Sequence, residues 1–468
     1  MKTIIIIATF FSLPYLDKLA SITFADEVPP NIIFILADDL GYGDTGIYGQ
    51  KRIKTPNIDQ LGKEGMKFLQ AYAGCTVCAP SRCCLMTGKH TGHARIRGND
   101  RYPLQKEDLT LAQMFKQKGY DTKLIGKWGL GEPDSSGAPT KKGFDSFFGY
   151  TDQTHAHNYY PNFLWKNDSK FLIPENVVQN GFAENGVIYS PDLFLKEAID
   201  YLDHEHPKPF FLYFASTLPH ANNERTRAKD HNGMEIPDNA PYNNESWPTI
   251  QKNHAAMITR LDRDIGKIIS KLKEKGILNK TMIVFSSDNG PHSEGGANAA
   301  FFHSSGPFRG FKRSMTEGGI HVPLIISLPG KIQPGVTNQV VAFWDFFPTF
   351  AELIHQKAPE NLDGISFLPT LFGTGKQENH PYLYWEFHEG GSKQAIRMDN
   401  WKGIRNSLNS PLELYDLAKD IHEDNNIAKN HPEIIEKMEQ YLKTARSESP
   451  IWKLTSSPPP KKKKKQMK

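Results

Sequence analysis

Short apolar runs recur along the chain, and they show no alternation of apolar with polar positions. The runs are rich in β-branched and aromatic residues and cover residues 32–36, 122–125, 210–214, 282–285 and 324–326. A strand that is apolar throughout is typically covered on both faces, as in a mostly parallel sheet. The pattern therefore predicts an α/β protein with a mostly parallel sheet flanked by helices.

Helical stretches with clear start and stop signals separate several of these runs. Proline near the first turn and glycine after the last turn mark helix ends. The predicted helices run from Thr55-Pro56 to about Gly65, over 109–118, from Ser190-Pro191 towards His204, and over about 250–275.

From about residue 375 the pattern changes to that of a small antiparallel α+β subdomain. Short strands are predicted at 382–387, 394–404 and 412–415, followed by a helix at about 432–445. The length of 468 residues also suggests more than one domain. We predict a signal peptide at 1–25, a catalytic domain at 26–372, a C-terminal subdomain at 373–450 and a disordered basic tail at 451–468.

The N-terminus has the features of an export signal. Lys2 precedes an apolar run at 4–13, and Thr23-Phe24-Ala25 resembles a small-residue cleavage site. No other stretch approaches the roughly 18 to 20 apolar residues of a membrane-spanning helix. We expect an exported protein, periplasmic or secreted, without a transmembrane anchor.

The net charge of +4 comes from the C-terminus. Residues 461–468 contain six lysines and no acidic residue, so the rest of the chain carries a net charge of −2. Such a run can bind a polyanion, but it is more often a solvated tail. No basic surface interleaved with aromatic residues accompanies it, and we expect no nucleic-acid partner.

Polar residues with useful chemistry follow four of the predicted strands: Asp38 and Asp39, then Lys127, then His220, then Asp288 and Asn289. Ligands of open α/β sheets bind beyond the carboxyl ends of the strands, so these side chains are expected to converge. Each alone is also a reasonable turn or cap residue. As a set, the aspartates and Asn289 offer oxygen ligands, which predicts a hard divalent cation such as Ca²⁺.

All four cysteines lie within one segment, as Cys75, Cys78, Cys83 and Cys84. A zinc site would need a second, well separated cysteine pair, and a disulfide framework is poorly served by such clustering. Pro80 suits the first turn of a helix that stops at Gly88. Cys78 is therefore predicted at a helix N-terminus, where the helix dipole favours an anion.

Several motifs occur in order along the chain: Asn31 to Gly41, Cys78-Ala79-Pro80-Ser81-Arg82 with Leu85-Met86-Thr87-Gly88, Gly126-Lys127-Trp128, Pro219-His220, Ser287-Asp288-Asn289-Gly290, Arg309-Gly310-Phe311-Lys312 with Glu317-Gly318-Gly319, and Leu414-Tyr415-Asp416-Leu417. Together they resemble the type I sulfatases, arylsulfatase-like members of the alkaline phosphatase superfamily. The resemblance covers about residues 31–426.

This resemblance implies that Cys78 is oxidised to Cα-formylglycine by a formylglycine-generating or an anaerobic sulfatase-maturating enzyme. One hydroxyl of the hydrated aldehyde attacks sulfur, and deprotonation of the other then expels sulfate. A serine would remain as a stable sulfate ester.

The resemblance also implies roles for other residues. Arg82 stabilises the hydrate, Lys127 and Lys312 neutralise sulfate oxygens, and His220 is the candidate general acid. Asp38, Asp39, Cys78, Asp288 and Asn289 form the implied calcium site. Asp288 could also help to activate the attacking hydroxyl.

One position departs from the family pattern. Many relatives read G-K-W-H-L-G, but Gly129 stands here in place of the histidine. The candidates to replace it are His155 and His157, in a loop rich in histidine and aromatic residues. A loop histidine pair without catalytic duty is an equally good interpretation.

The substrate pocket is less well marked. His93 and Arg97 follow soon after Cys78, and Arg suits recognition of a carboxylate or a second sulfate. Residues of the C-terminal subdomain that could reach a sugar are Glu386, His388, Glu389 and Arg397, and Tyr160 and Trp165 could stack on one.

We expect an exo-acting sulfatase for sulfated carbohydrate. The alternatives are a phosphate or phosphonate monoester hydrolase and a catalytically inactive glycan-binding protein.

Overall fold

The protein is described here from a computed structural model, in which residues 29–228 and 230–456 can be described. The predicted signal peptide and the C-terminal lysine run lie outside these residues. No helix in the described ranges is both long enough and apolar enough to cross a membrane.

A central mixed sheet organises the larger part of the fold. The strands up to residue 342 are β1 (Asn31–Ala37), β2 (Met66–Tyr72), β3 (Asp121–Lys127), β4 (Ser146–Tyr150), β5 (Phe163–Lys166), β6 (Ser169–Leu172), β7 (Val178–Gln179), β8 (Phe182–Ala183), β9 (Phe210–Ala215), β10 (Thr281–Ser287), β11 (Leu324–Ser327) and β12 (Gly335–Ala342). Ten of them form one sheet in the order β12-β2-β11-β10-β1-β9-β3-β4-β5-β6, and β7 pairs with β8. The middle of the sheet, from β10 through β1, β9 and β3 to β4, is parallel.

Helices cover both faces of this sheet, and one further helix belongs to the C-terminal part. They are α1 (Pro56–Glu64), α2 (Cys78–Thr87), α3 (Leu111–Gln117), α4 (Ser190–Asp203), α5 (Thr249–Glu274), α6 (Ala299–Phe302), α7 (Glu317–Ile320), α8 (Phe346–Leu353), α9 (Leu368–Phe372) and α10 (Pro432–Thr444).

The central strand β1 shows why its sequence is apolar without alternation. Ile32, Phe34 and Leu36 pack into one core together with residues of α2, α3 and α8. Ile33 and Ile35 pack into the core on the other face, with residues of α1, α4 and α5. Both faces of the strand are thus buried, which confirms the predicted α/β class.

The C-terminal part is an antiparallel sheet, as predicted, but it has four strands because the segment predicted at 394–404 forms two of them. Its strands are β13 (Leu383–Phe387), β14 (Lys393–Met398), β15 (Trp401–Arg405) and β16 (Glu413–Asp416), paired in that order. Helix α10 packs Met438 and Leu442 against it. Trp385 of β13 reaches into the main core, and its indole Nε1 donates to the Ala73 carbonyl at 2.9 Å.

The packed chain continues beyond the boundary predicted at residue 450. Trp452 is buried, and its indole Nε1 donates to the Arg95 carbonyl at 2.9 Å. Its ring also lies edge-on to Tyr102. Residues 451–456 therefore belong with the body of the protein, and the part of the tail with the lysine run lies outside the described residues.

Candidate functional site

The parallel strands bring the predicted polar residues to one edge of the sheet. Asp38 and Asp39 follow β1, Asp288 and Asn289 follow β10, and Lys127 is the last residue of β3. His220 lies five residues beyond the end of β9. Because these four strands are neighbours in the order β10-β1-β9-β3, residues far apart in sequence meet beyond their carboxyl ends.

Backbone contacts hold the two aspartates after β1 in place. Asp39 has a φ of 66°, a left-handed conformation that aspartate tolerates better than most residues. Its N–H donates to Asp288 Oδ1 at 3.1 Å. The Asp38 N–H donates to the Leu218 carbonyl at 3.0 Å, which ties β1 to the loop that carries His220.

Helix α2 begins at Cys78 and ends at Gly88, as the sequence predicts. Gly88 adopts a φ of 67°, and its N–H donates to the Cys84 carbonyl. All four cysteines are free and buried. The Cys78 thiol sits 3.4 Å from Asp38 Oδ1. Burial raises the pKa of this thiol well above its ordinary value, so an unmodified Cys78 is a neutral, weak nucleophile.

One turn further along α2, Arg82 contacts residues at the ends of two strands, Asp288 after β10 and Lys127 at the end of β3. Its Nε and Nη2 donate to Asp288 Oδ2 at 3.0 and 2.8 Å, and its Nη1 donates to the Lys127 carbonyl at 2.8 Å. The guanidinium is fully buried, so this contact fixes the helix to two strand ends.

Two buried lysines neutralise the aspartates. Lys127 Nζ lies 2.7 Å from Asp38 Oδ2, and Lys312 Nζ lies 2.7 Å from Asp39 Oδ2. Lys312 Nζ also lies 3.0 Å from His220 Nε2. Burial alone would raise the pKa of Asp38, but the charges of Lys127 and Arg82 outweigh it and hold that pKa well below its ordinary value.

In the third carboxylate, Asp288, the bound Arg82 only partly offsets the effect of burial on the pKa. Burial first, and then the negative charge of Asp38, raise its pKa to about 7 although Arg82 is bound to it. Of the three buried carboxylates, Asp288 is thus the one whose charged form is least favoured by its neighbours.

His220 is neutral in this environment. Burial, and then the nearby charge of Lys312, hold its pKa well below the ordinary value. Its Nδ1 lies 2.7 Å from the Ala221 carbonyl, which assigns the proton to Nδ1 and leaves Nε2 to accept from Lys312.

Comparison with known proteins identifies the family of this chain. The family model described as Sulfatase matches residues 30–356, and the model described as N-sulphoglucosamine sulphohydrolase, C-terminal, matches residues 306–448. The chain belongs to the sulfatase family. It is therefore a sulfuric ester hydrolase with the alkaline-phosphatase-like fold that the motifs imply.

Individual relatives extend over most of the chain. The N-acetylgalactosamine-6-sulfatase of Rattus norvegicus is 31% identical over an alignment of 425 residues, which covers 83% of this chain and 74% of the relative. Arylsulfatase A of Homo sapiens is 29% identical, covering 88% and 87% of the two chains. The crystal structure of Ps i-CgsB in complex with k-i-k-neocarrahexaose superposes with a TM-score of 0.72 at 29% identity, covering 89% of this chain and 92% of the other.

The residues of this sulfatase fit a divalent cation. Asp38, Asp39, Cys78 and His220 each offer a ligand atom, all within 4.8 Å of one another. The Oδ1 atom of Asn289 is buried and has no hydrogen-bond partner among the described residues, whereas its Nδ2 donates to Asp39 Oδ1 at 2.7 Å. An unpaired amide oxygen beside three carboxylates is an environment that a hard cation would complete.

The two loop histidines have different surroundings. His157 stacks on His220, and its Nδ1 lies 2.9 Å from Glu224 Oε2, so it adjoins the site through His220. His155 instead lies against the rings of Tyr150 and Phe163.

Two further predicted residues are paired away from this cluster. His93 Nδ1 lies 2.8 Å from Asp363 Oδ1, and its ring stacks on that of His90. Arg97 is buried, with Nη1 at 2.8 Å from Glu386 Oε1. The structure does not bring these side chains together with Cys78.

The residues expected to reach over the cleft from the C-terminal subdomain are mostly engaged elsewhere. Glu386 is fully buried and also pairs with Arg446, while Arg397 is buried against Tyr72. His388 Nε2 lies 3.1 Å from Glu386 Oε1. Glu389 is partly exposed and pairs with Arg313 at 2.7 Å.

The two aromatic residues expected to stack on a sugar pack on other rings of the protein. Tyr160 packs on Tyr189, and Trp165 packs on Phe163.

The sequence alone did not reveal Glu294, which adjoins the site. Its Oε2 lies 3.2 Å from Lys312 Nζ, and it also pairs with Arg313. Burial would raise its pKa, but Lys312 outweighs this and holds the pKa at about 2. Glu294 follows no strand and belongs to none of the motifs, so no pattern singled it out.

Proposed function

We propose that this sulfatase hydrolyses sulfate monoesters of carbohydrate, acting from a chain end, with a formylglycine made from Cys78 and a bound Ca²⁺. The observation that carries the proposal is the buried contact of Cys78, at the first turn of α2, with Asp38. A buried neutral thiol has little use as a nucleophile there, whereas a hydrated aldehyde could be held by the same neighbours.

Asp38, Asp39, Asp288 and Asn289 would hold the cation, which would draw negative charge from the sulfate oxygens. The formylglycine would supply two hydroxyls on one carbon, one to attack sulfur and one whose deprotonation releases sulfate.

The remaining chemistry belongs to the side chains. Arg82 orients Asp288 and adds positive charge at the start of α2. Lys127 and Lys312 flank the aspartates and are placed to neutralise sulfate oxygens as the S–O bond breaks. Lys312 Nζ would give a proton to His220 Nε2, to which it is hydrogen-bonded, and His220 Nε2 would pass that proton to the leaving sugar oxygen, which leaves Lys312 as a neutral amine. His157 acts as a positioning residue on His220.

A sulfated carbohydrate as substrate is supported by the relatives. One is named for the 6-sulfate of N-acetylgalactosamine, and one solved neighbour was crystallised with a neocarrahexaose. We also propose export, as the sequence predicts, and maturation by one of the two formylglycine-forming enzyme classes.

The test begins with mass spectrometry of the peptide that contains Cys78, from protein made in a host with a maturation system. Replacement of CH₂SH by CHO should appear as a loss of mass. Matured protein should hydrolyse an aryl sulfate much faster than the matching aryl phosphate, and C78A should hydrolyse neither.

Three results would count against the proposal. An unmodified thiol under effective maturation would overturn the nucleophile. Preference for the phosphate would favour a phosphate monoester hydrolase, and tight sulfated-glycan binding without sulfate release would favour a binding protein.

A further inference from the structure

Gly129 stands where the sulfatase motif implies a histidine, and its backbone and surroundings disfavour a side chain. Gly129 has a φ of 79°, which residues other than glycine rarely adopt. A Cβ atom added there would lie 2.0 Å from Nε2 of Gln153. The amide of Gln153, in the loop after β4, thus occupies the space that a side chain at 129 would need.

This amide is unusual in its hydrogen bonding. Both Nε2 and Oε1 of Gln153 are buried, and neither has a hydrogen-bond partner among the described residues. A primary amide offers two donors and an acceptor, and leaving them unpaired in a buried place is costly. Such a group calls for a partner that the chain itself does not supply.

A small cavity of about 140 Å³ adjoins Gln153 and Gly129. Its wall is directly connected to the proposed nucleophile, because Asn99, which also lines it, accepts a hydrogen bond from the Ala79 N–H at 3.0 Å. Ala79 follows Cys78 in the chain, and Gly129 lies two residues after Lys127. The wall of the cavity is therefore linked to the chain segments that carry Cys78 and Lys127.

The cavity is lined mainly by negative charges, whereas Lys127 and Lys312 place positive charges where the sulfate would bind. Among the described residues, Arg101 is the one guanidinium that lines the cavity. Four carboxylates line it as well, those of Asp100, Glu132, Asp134 and Asp152. Arg101 Nη2 lies 3.5 Å from Asp152 Oδ1, and Glu132 Oε2 accepts from Thr151 Oγ1 at 2.6 Å. Carboxylates accept hydrogen bonds from hydroxyls but repel a second anion.

We propose that Gln153 is a specificity-determining residue that hydrogen-bonds hydroxyls of the sulfated sugar in this cavity. Gln153 lines the cavity, and a change of its side-chain rotamer would turn the buried amide towards the ligand. The surrounding carboxylates select sugars that are uncharged apart from the scissile sulfate. This inference rests on the proposed function, since the sugar that Gln153 would bind is the leaving group of the proposed sulfate hydrolysis.

The test compares two kinds of substrate: sulfated sugars, and an aryl sulfate whose leaving group carries no sugar hydroxyls. Matured wild type, Q153A and Q339A are assayed on 4-methylumbelliferyl sulfate and on the 6-sulfates of N-acetylgalactosamine, N-acetylglucosamine and galactose. Gln339 is the matched control, because its amide is paired with Asn379 at 2.9 Å on the edge strand β12.

We expect Q153A to lower kcat/KM for the best sugar sulfate roughly tenfold, mainly through KM, and to change aryl sulfate turnover less than about twofold. Q339A should resemble wild type on both. Because Gln153 loses no hydrogen bond within the described chain, Q153A should keep the wild-type melting temperature.

A second arm tests the charge of the cavity. E132Q should improve kcat/KM for a disulfated sugar relative to the monosulfated one, because it removes one repelling carboxylate.

Three outcomes would overturn the inference. These are an equal loss on aryl and sugar sulfates, an unchanged kcat/KM for the sugar, and turnover of the aryl sulfate without hydrolysis of any sugar sulfate by wild type. The last outcome would leave the sulfatase reaction itself intact. Failure of matured wild type on every sulfate would instead refute the proposed function.

Discussion

The imidazole of His157 lies flat on that of His220, with 4.7 Å between ring centroids and 12° between ring planes. Glu224 holds the outer ring through Nδ1 at 2.9 Å. His157 therefore fixes the orientation of a ring that in turn contacts Lys312 and Asp39.

The first prediction concerns this stack. H157A should lower kcat about tenfold with KM changed less than about twofold, since only the orientation of the proposed proton donor is lost. H157F keeps a stacked ring and should be intermediate, and E224Q should lower kcat less than H157A. Steady-state kinetics across a pH series is the measurement. Unchanged turnover in H157A with intact calcium binding would remove His157 from the mechanism.

The second prediction concerns calcium. Ca²⁺ that binds only the folded state should raise the melting temperature, with about 2.7 kcal/mol of stabilisation at a concentration 100 times Kd. A chelator should reverse the shift, and D39N should abolish it. Calorimetric titration with CaCl₂ checks binding independently of activity. D200N, in an exposed pair with Lys196, is the control and should titrate like wild type; a D39N protein that still binds would refute the site.

The third prediction concerns the buried pair of Glu317 and Lys402, which joins the main body to the C-terminal sheet at 2.6 Å. Both side chains are fully buried, and Tyr72 also donates to Glu317. E317Q leaves the lysine with only Glu423, at 3.6 Å, as its acidic partner. The free energy of unfolding should fall by about 3 to 5 kcal/mol, measured by urea denaturation.

A matched control separates burial from charge pairing. Lys357 and Glu360 form an ion pair at 3.0 Å with side chains 83% and 86% exposed. E360Q should cost less than about 1 kcal/mol. Equal effects of E317Q and E360Q would show that the buried pair contributes nothing special.

The fourth prediction concerns pH and Asp44. Burial raises the pKa of this carboxyl from 3.8 to about 7, although the Gly41 N–H donates to its Oδ2 at 2.8 Å. The folded state thus favours the protonated form, and this contribution to stability is lost as pH rises from about 4 to about 7.

D44N keeps a hydrogen-bond acceptor without the charge. Relative to wild type it should gain stability between pH 5 and pH 8, at about 1.4 kcal/mol per unit of pKa displacement. Urea unfolding at both pH values measures this, and D168N, on an exposed residue, should show no such trend. A constant difference between D44N and wild type would contradict the raised pKa.

Sequence reasoning located the site because parallel strands impose a simple geometry. Asp38, Lys127 and Asp288 each stand where an apolar run ends, and a parallel arrangement leaves such residues on one edge. The same reasoning missed β2 and β12, because these strands are partly exposed and carry no continuous apolar run. It also placed β11 in the sheet without showing that β11 runs antiparallel to β10.

Side-chain partners were harder to predict than strand ends. Arg97 and Glu386 are 289 residues apart, and no local pattern shows that they form a buried pair. Gln153 and Gly129 are likewise related only through the packing of two loops. Charge and residue type indicate what a side chain can do, whereas its partners are decided by tertiary contacts.

The burial of the segment from Cys78 to Arg82 bears on when the proposed oxidation of Cys78 would take place. All five residues are buried, and Cys78 is only 1% exposed. An enzyme that oxidised Cys78 would need access to this segment, which the folded chain does not offer. Under the proposed maturation, oxidation and folding would compete in time, and a chain that folds first would keep its thiol. The fraction of active protein should depend on how long the nascent chain stays open, and slower folding should increase it.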